Sequence, residues 1–185
     1  RICGTSSSGS AAAVASFMIP VALGSQTAGS TSRPVSYLGI YGFKPSFALL
    51  PRTAVLKTTD TLDTISMLSR SVNDLKLMFE SMRVYGRNYP IINRELKKKI
   101  RYTKIGKKWS IGLLNGPKSK LESSDVKKGL VGVCQTLEKN GCNLDDYFLP
   151  KAFDEAHFYH QLIYCKCLSY YFKSHLKRSK NFFSS

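Results

Sequence analysis

An α/β fold is what this sequence predicts, on three observations. Short apolar runs closed by glycine or proline recur along the chain, at Ile19 to Leu23, Tyr37 to Lys44 and Trp109 to Leu114, as buried strands do. Segments with helical periodicity stand between them, the clearest with Val72, Leu75, Phe79 and Met82 on one face. The second half then restarts in strand, helix, strand order, as a βαβ unit requires. A chain of 185 residues that is 43% hydrophobic has enough apolar material for a core.

Taken in order, Ser10 reads as an N-cap for a helix over Ala11 to Phe17, which Pro20 ends. Ile19 to Leu23 is short and apolar and stops at Gly24, so it reads as a buried strand. Tyr37 to Lys44 (YLGIYGFK) mixes aromatic and aliphatic residues with glycines and is closed by Pro45, which suggests a strand approached closely by another backbone. The segment Thr59 to Thr64 leads into a strand at Ile65 to Leu68. Ser71 with Asp74 forms a variant capping box for a helix reaching about Val84.

Residues 85–108 contain Gly86, Pro90 and most of a lysine cluster, and read as a basic linker or insertion. Beyond them come a strand at Trp109 to Leu114 and a helix from Ser124 or Asp125 with Val126, Leu130, Val133 and Leu137 on one face. Asn140-Gly141 stops that helix, and a strand follows at Asn143 to Phe148. Phe153 to Leu176 reads as one long helix, apolar on most sides, which needs cover from another surface. The expected organisation is thus 1–84, 85–108 and 109–185.

The formal net charge is +16, and ten basic residues between Arg94 and Lys120 face the single acid Glu95. No aromatic reader motif is interleaved with them, so a solvated face is favoured over a nucleic-acid site. The longest apolar candidate, Ala11 to Leu23, is interrupted by Ser16 and Pro20, and neither a membrane span nor a secretory signal is read. Cys3, Cys134, Cys142, Cys165 and Cys167 are odd in number and irregularly spaced, which points to a reducing cytoplasm rather than a disulfide framework. His157, His160, Cys165 and Cys167 suggest a metal cluster, but on a helix the two cysteines lie about 200° apart. No metal and no cofactor is expected.

Two Ser/Gly loops carry the chemistry. Gly4 to Ser10 reads GTSSSGS and Gly24 to Ser30 reads GSQTAGS, with Ser6 and Ser30 separated by 24 positions. Arg33-Pro34 and GFKP (Gly42 to Pro45) follow in register. These four blocks resemble the amidase signature family, whose members cleave amides with two serines and a lysine. The resemblance is clear to about Val84 and looser from Trp109 to Phe153. It implies a mixed β-sheet core flanked by helices, of which this chain is part.

By that resemblance Ser30 is the nucleophile and Ser6, on a cis peptide bond, relays its proton to a neutral lysine. Backbone N–H groups of Thr27, Ala28, Gly29 and Ser30 form the oxyanion hole, each such donor being worth about 3 kcal/mol in hydrolases. Ser7 and Ser8 are expected to be loop hydrogen-bonders, and Lys44 a strand-end lysine. The family's lysine lies upstream of the first loop, so the chain is expected to require the missing N-terminal part of the same protein and to be nearly inactive alone.

Four positions depart from the pattern: Thr5 and Ala28 replace glycines, Gln26 replaces an aspartate, and Arg33 falls one place late. The implied substrate is a small-molecule amide, with room left for a homodimer and no membrane partner. The alternatives are the A subunit of glutamyl-tRNA amidotransferase, or a catalytically dead, basic nucleic-acid-binding relative. Gln26 weighs against a glutamine substrate, because the family ties that acid to the active-site loop.

Overall fold

The computed structural model describes residues 2–84, 109–117 and 119–179, and the expected linker at 85–108 lies outside the described residues, as does most of the basic run. The described residues divide into two units, one of 2–84 with 163–179 and the other of the described residues from 109 to 162.

In the first unit, α1 (Ser8–Ala15), β1 (Val21–Gln26), α2 (Ser32–Leu38), β2 (Tyr41–Phe43), β3 (Thr64–Ser69) and α3 (Val72–Met82) follow one another. The strands form one antiparallel sheet in the order β1-β3-β2, with Val21 opposite Ser69, Gln26 opposite Thr64, and Tyr41 opposite Ser69 on the other side. All six residues of β3 are buried. Strand periodicity then sorts its side chains between two layers. Ile65 and Met67 join Leu50 and Leu75 in a cluster completed by Met78, Phe79 and Met82 of α3, whereas Leu68 joins Ala11 and Val14 of α1 with Val35, Leu38 and Ile40. Met67 and Leu68 are wholly buried, each contributing about 2–3 kcal/mol.

Several boundaries differ from the sequence-based expectation, each for a physical reason. Helix α1 starts at Ser8, so Ser10 lies inside it and donates its hydroxyl to the Leu23 carbonyl at 2.7 Å instead of capping. Strand β1 begins after Pro20 and runs on through Gly24, Ser25 and Gln26, because β3 offers pairing partners that far. The single strand expected over Tyr37 to Lys44 is instead the end of α2, a left-handed Gly39 (φ 66°) and the three residues of β2. Pro34 sits in the first turn of α2, where its missing N–H leaves no intrahelical bond unmade. Ser71 does cap α3, its hydroxyl accepting from Asp74 N–H at 3.4 Å.

The second unit holds β4 (Ser110–Asn115), α4 (Ser124–Lys139) and β5 (Asn143–Phe148), with β4 and β5 parallel from Ser110 opposite Asn143 to Asn115 opposite Phe148. A helix between two parallel strands is the crossover that such pairing demands. Ser123 caps α4 through Val126 N–H at 3.4 Å, and Gly141, at φ 81°, turns the chain into β5. The long helix expected from Phe153 to Leu176 is a short 3-10 turn at Lys151–Phe153, then α5 (Ala156–Tyr171) and α6 (Lys173–Arg178), broken at Phe172. No described helix is long and apolar enough to cross a membrane.

Candidate active site

The first Ser/Gly loop is fixed by its own backbone chemistry. Gly4 has φ 81°, and a Cβ there would lie 2.9 Å from the Pro34 nitrogen, so both conformation and space select glycine. The peptide between Thr5 and Ser6 is cis. Ser7 then ties the loop down twice. Its N–H donates to the Ser30 carbonyl at 3.1 Å, and its hydroxyl donates to the Ser25 carbonyl and accepts from the Ser25 N–H, both at 3.1 Å. A side chain at position 24 would collide with this hydroxyl, since a Cβ there would meet Ser7 Oγ at 2.8 Å. Glycine therefore brings the two loops into register.

The second loop is held at both ends. Gln26 Oε1 accepts from the N–H groups of Thr31 and Ser32, both at 2.9 Å, satisfying donors at the start of α2 that have no intrahelical partner. The amide oxygen thus performs, without charge, the acceptor role available to a carboxylate. Thr31 and Ser66, both buried, share a hydroxyl–hydroxyl bond. On the other side Thr27 Oγ1 donates to Asp63 Oδ1 at 2.7 Å. Arg33 Nε reaches back to the Gly29 carbonyl at 3.3 Å, and a Cβ on Gly29 would lie 2.9 Å from that nitrogen.

Between these anchors lie the residues singled out from the sequence. Ser6 is exposed and Ser30 half-buried, and neither hydroxyl has a hydrogen-bond partner among the described residues. The backbone N–H groups of Ala28, Gly29 and Ser30 are likewise unengaged there, whereas Thr27 is bound through its side chain. The Ser7 N–H to Ser30 carbonyl bond puts the residue after Ser6 against Ser30 itself. Ser7, expected as a loop hydrogen-bonder, is one, whereas Ser8, the first residue of α1, has no side-chain hydrogen bond among the described residues because it is drawn into the helix. Lys44 is exposed, follows β2 directly and donates to the neighbouring Pro45 carbonyl at 3.1 Å. Among the described residues no group of three His, Cys, Asp or Glu side chains is placed to hold a metal ion.

Sequence reasoning missed Asp63. Its carboxylate is buried and accepts from the hydroxyls of Thr27, Thr58 and Thr59 at 2.7, 2.7 and 3.0 Å, and from the N–H groups of Thr58 and Thr59 at 2.7 and 2.9 Å. Burial works to raise its pKa, but bonds from Thr27, Thr59 and Thr58 outweigh it and bring the pKa down to about 2. Arg52 leaves the carboxylate alone and binds the carbonyls of Thr59, Asp60 and Asp63 at 3.3, 2.9 and 3.1 Å. The available signal was two acids set among four threonines in TTDTLDT. Short polar side chains at that density bond their own backbone.

Known proteins share this architecture. The family model described as Amidase matches residues 1–183. The A subunit of the glutamyl-tRNA(Gln) amidotransferase of Clostridium novyi (strain NT) is 34% identical over 163 residues, covering 82% of this chain and 32% of that protein. The crystal structure of an amidase family protein from Bacillus anthracis str. Ames superposes with a TM-score of 0.67 at 26% identity, covering 97% of this chain and 39% of the other. That of the A subunit of the Thermotoga maritima glutamyl-tRNA(Gln) amidotransferase gives 0.81 at 24% identity, covering 96% and 40%, a likeness of fold. The chain spans about a third of the length of the curated relatives it matches. With the family model matched almost end to end on two interlocked serine loops, the chain belongs to the Amidase family.

Proposed function

We propose that this chain carries the serine half of an amidohydrolase centre, in which Ser30 attacks a carboxamide and Ser6 relays protons between Ser30 and a lysine supplied by the rest of the full-length protein. One observation carries the reading. The Ser7 N–H to Ser30 carbonyl bond joins the two loops at Ser30 and at the residue after Ser6, and among the described residues the hydroxyls of Ser6 and Ser30 are open, as are those of Thr5, Ser8 and Ser25, whereas those of Ser7, Ser10, Thr27 and Thr31 are committed to partners. A nucleophile and its relay must be free to exchange protons with substrate, and hydroxyls locked to backbone carbonyls are not.

The reaction balances on these groups. The bond from Ser30 Oγ to the carbonyl carbon forms as the Ser30 proton passes to Ser6 and the Ser6 proton to the lysine. Charge builds on the carbonyl oxygen, where the N–H groups of Ala28, Gly29 and Ser30 stabilise it with that of Thr27. The C–N bond then breaks, and ammonia or an amine leaves with a proton returned through Ser6. Water adds to the acyl ester, releasing the acid and restoring Ser30. The rest of the full-length protein completes the centre, and the chain alone is expected to turn over little substrate.

A second reading is the A subunit of an amidotransferase, with glutamine as ammonia donor, and relatives of that kind fit it. The objection raised by Gln26 loses force, because its amide oxygen makes both bonds that an acid there could accept from the α2 N-terminus. The five cysteines are free, which suits a reducing, cytoplasmic setting for either reading. Fluorophosphonate labelling and a panel of carboxamides, applied to the full-length protein and its Ser30→Ala variant, test the centre. Labelling that survives Ser30→Ala rejects Ser30 as nucleophile. Glutamine hydrolysis that emerges only with partner subunits selects the second reading.

A further inference from the structure

The segment from Gln26 to Thr31, whose Gly29 and Ser30 carbonyls accept from Arg33 and Ser7, has two further polar anchors at its start. One is Gln26 itself, bonded to the start of α2, and the other is Asp63, reached through the Thr27 hydroxyl. Within the segment, the N–H groups of Ala28, Gly29 and Ser30 donate to nothing among the described residues. Free N–H groups in a short turn relax toward any acceptor within reach, so holding them idle needs an outside constraint.

Asp63 has the attributes of such a constraint. Five donors converge on its carboxylate, three of them threonine hydroxyls, and no ion pair to it occurs among the described residues. Thr59 Oγ1 is itself saturated, donating to Asp63 while accepting from the N–H groups of Leu62 and Asp63 at 3.1 and 3.0 Å. Arg52 fixes the backbone of the same turn through three carbonyls and lies over the Phe47 ring at 4.7 Å. The turn leads directly into β3, the central strand, and among the described residues the Thr27 hydroxyl is the group through which its carboxylate holds the second serine loop.

We propose that Asp63 is a positioning residue for amide cleavage, setting through Thr27 where the Ala28 to Ser30 N–H groups sit relative to the developing oxyanion. It touches neither substrate nor nucleophile. A donor displaced by a few tenths of an ångström binds the planar ground state nearly as well and the tetrahedral state less well, so the effect falls on kcat rather than KM. The inference rests on the amidohydrolase reading above.

The test uses the full-length protein and a turnover assay on its best carboxamide. Thr27→Val removes the hydroxyl at nearly constant volume and is expected to lower kcat about 10- to 100-fold with KM within about threefold. Thr27→Ser keeps the hydroxyl and is expected to recover most of that loss. Asp63→Asn should resemble Thr27→Val if it folds. A folded Thr27→Val enzyme with wild-type kcat overturns the positioning role, as does a Thr27→Ser enzyme as slow as Thr27→Val. An unchanged rate in Ser30→Ala instead overturns the amidohydrolase reading, so the two failures are distinct.

Discussion

Replacing Gln26 by leucine removes one oxygen that serves two helix-start donors, and the structure sets the size of the effect. Gln26 Oε1 accepts from Thr31 and Ser32 N–H at 2.9 Å each, and Thr31 is only 2% exposed, so water cannot replace the lost partner there. A net hydrogen bond contributes about 1 kcal/mol, and a buried donor left unpaired costs about 1–3 kcal/mol. Ser32 is exposed and recovers most of its loss from solvent. Gln26→Leu is therefore expected to destabilise by about 2 kcal/mol, the size of a strong N-cap loss. Gln26→Glu keeps the acceptor and adds a negative charge beside the N-terminus of α2, for a gain of about 0.5 kcal/mol. Urea unfolding of the full-length protein, with m held constant, reads both. Equal midpoints for Gln26→Leu and wild type would refute the capping role and the claim that a neutral amide here replaces an acid.

Leu68 is fully buried between Ala11, Val14, Val35 and Leu38, so Leu68→Ala is expected to cost about 3 kcal/mol in the same unfolding assay. Gly24→Ala drives a methyl to 2.8 Å from Ser7 Oγ and 3.0 Å from Leu68 Cδ1; a loss of about 1–3 kcal/mol, with weakened fluorophosphonate labelling, is expected as Ser7 is pushed off Ser25. The Asp63 pKa is depressed from 3.8 to about 2, so its contribution is complete above pH 3.8 and lost as pH falls through 2. Screening at the half-buried Thr27 and Thr58 leaves about 1 kcal/mol. The stability difference between wild type and Asp63→Asn, followed by urea unfolding from pH 5 to 2, should shrink across that window, and a flat difference contradicts it.

Local rules carried the sequence reading a long way. The cap at Ser71 and the stop at Gly141 depend on near neighbours, and the structure has them; of the expected helical face Leu75, Phe79 and Met82 pack inward with Met78, whereas Val72, in the first turn, is exposed. Tyr37 to Lys44 failed for the opposite reason. Its pattern suits a strand, but Gln26, in another element, caps α2 and draws Tyr37 and Leu38 into the helix. Ser10 likewise left its expected capping role because the Leu23 carbonyl, distant in sequence, lies 2.7 Å away.

The sequence by itself determined the family and the two serine loops, because glycine and serine at fixed spacing encode turns whose conformation is local. Only the tertiary structure decided which hydroxyls are committed and which are left open. Ser7, Ser10, Thr27 and Thr31 find their partners on β1 or across the sheet, and Asp63 gathers threonines from two separate segments. Identical side chains one position apart, Ser6 and Ser7, thus stand in different chemical states. Backbone direction separates them, since a hydroxyl aimed at an unsatisfied peptide group in β1 is bonded there and its neighbour, aimed elsewhere, is not.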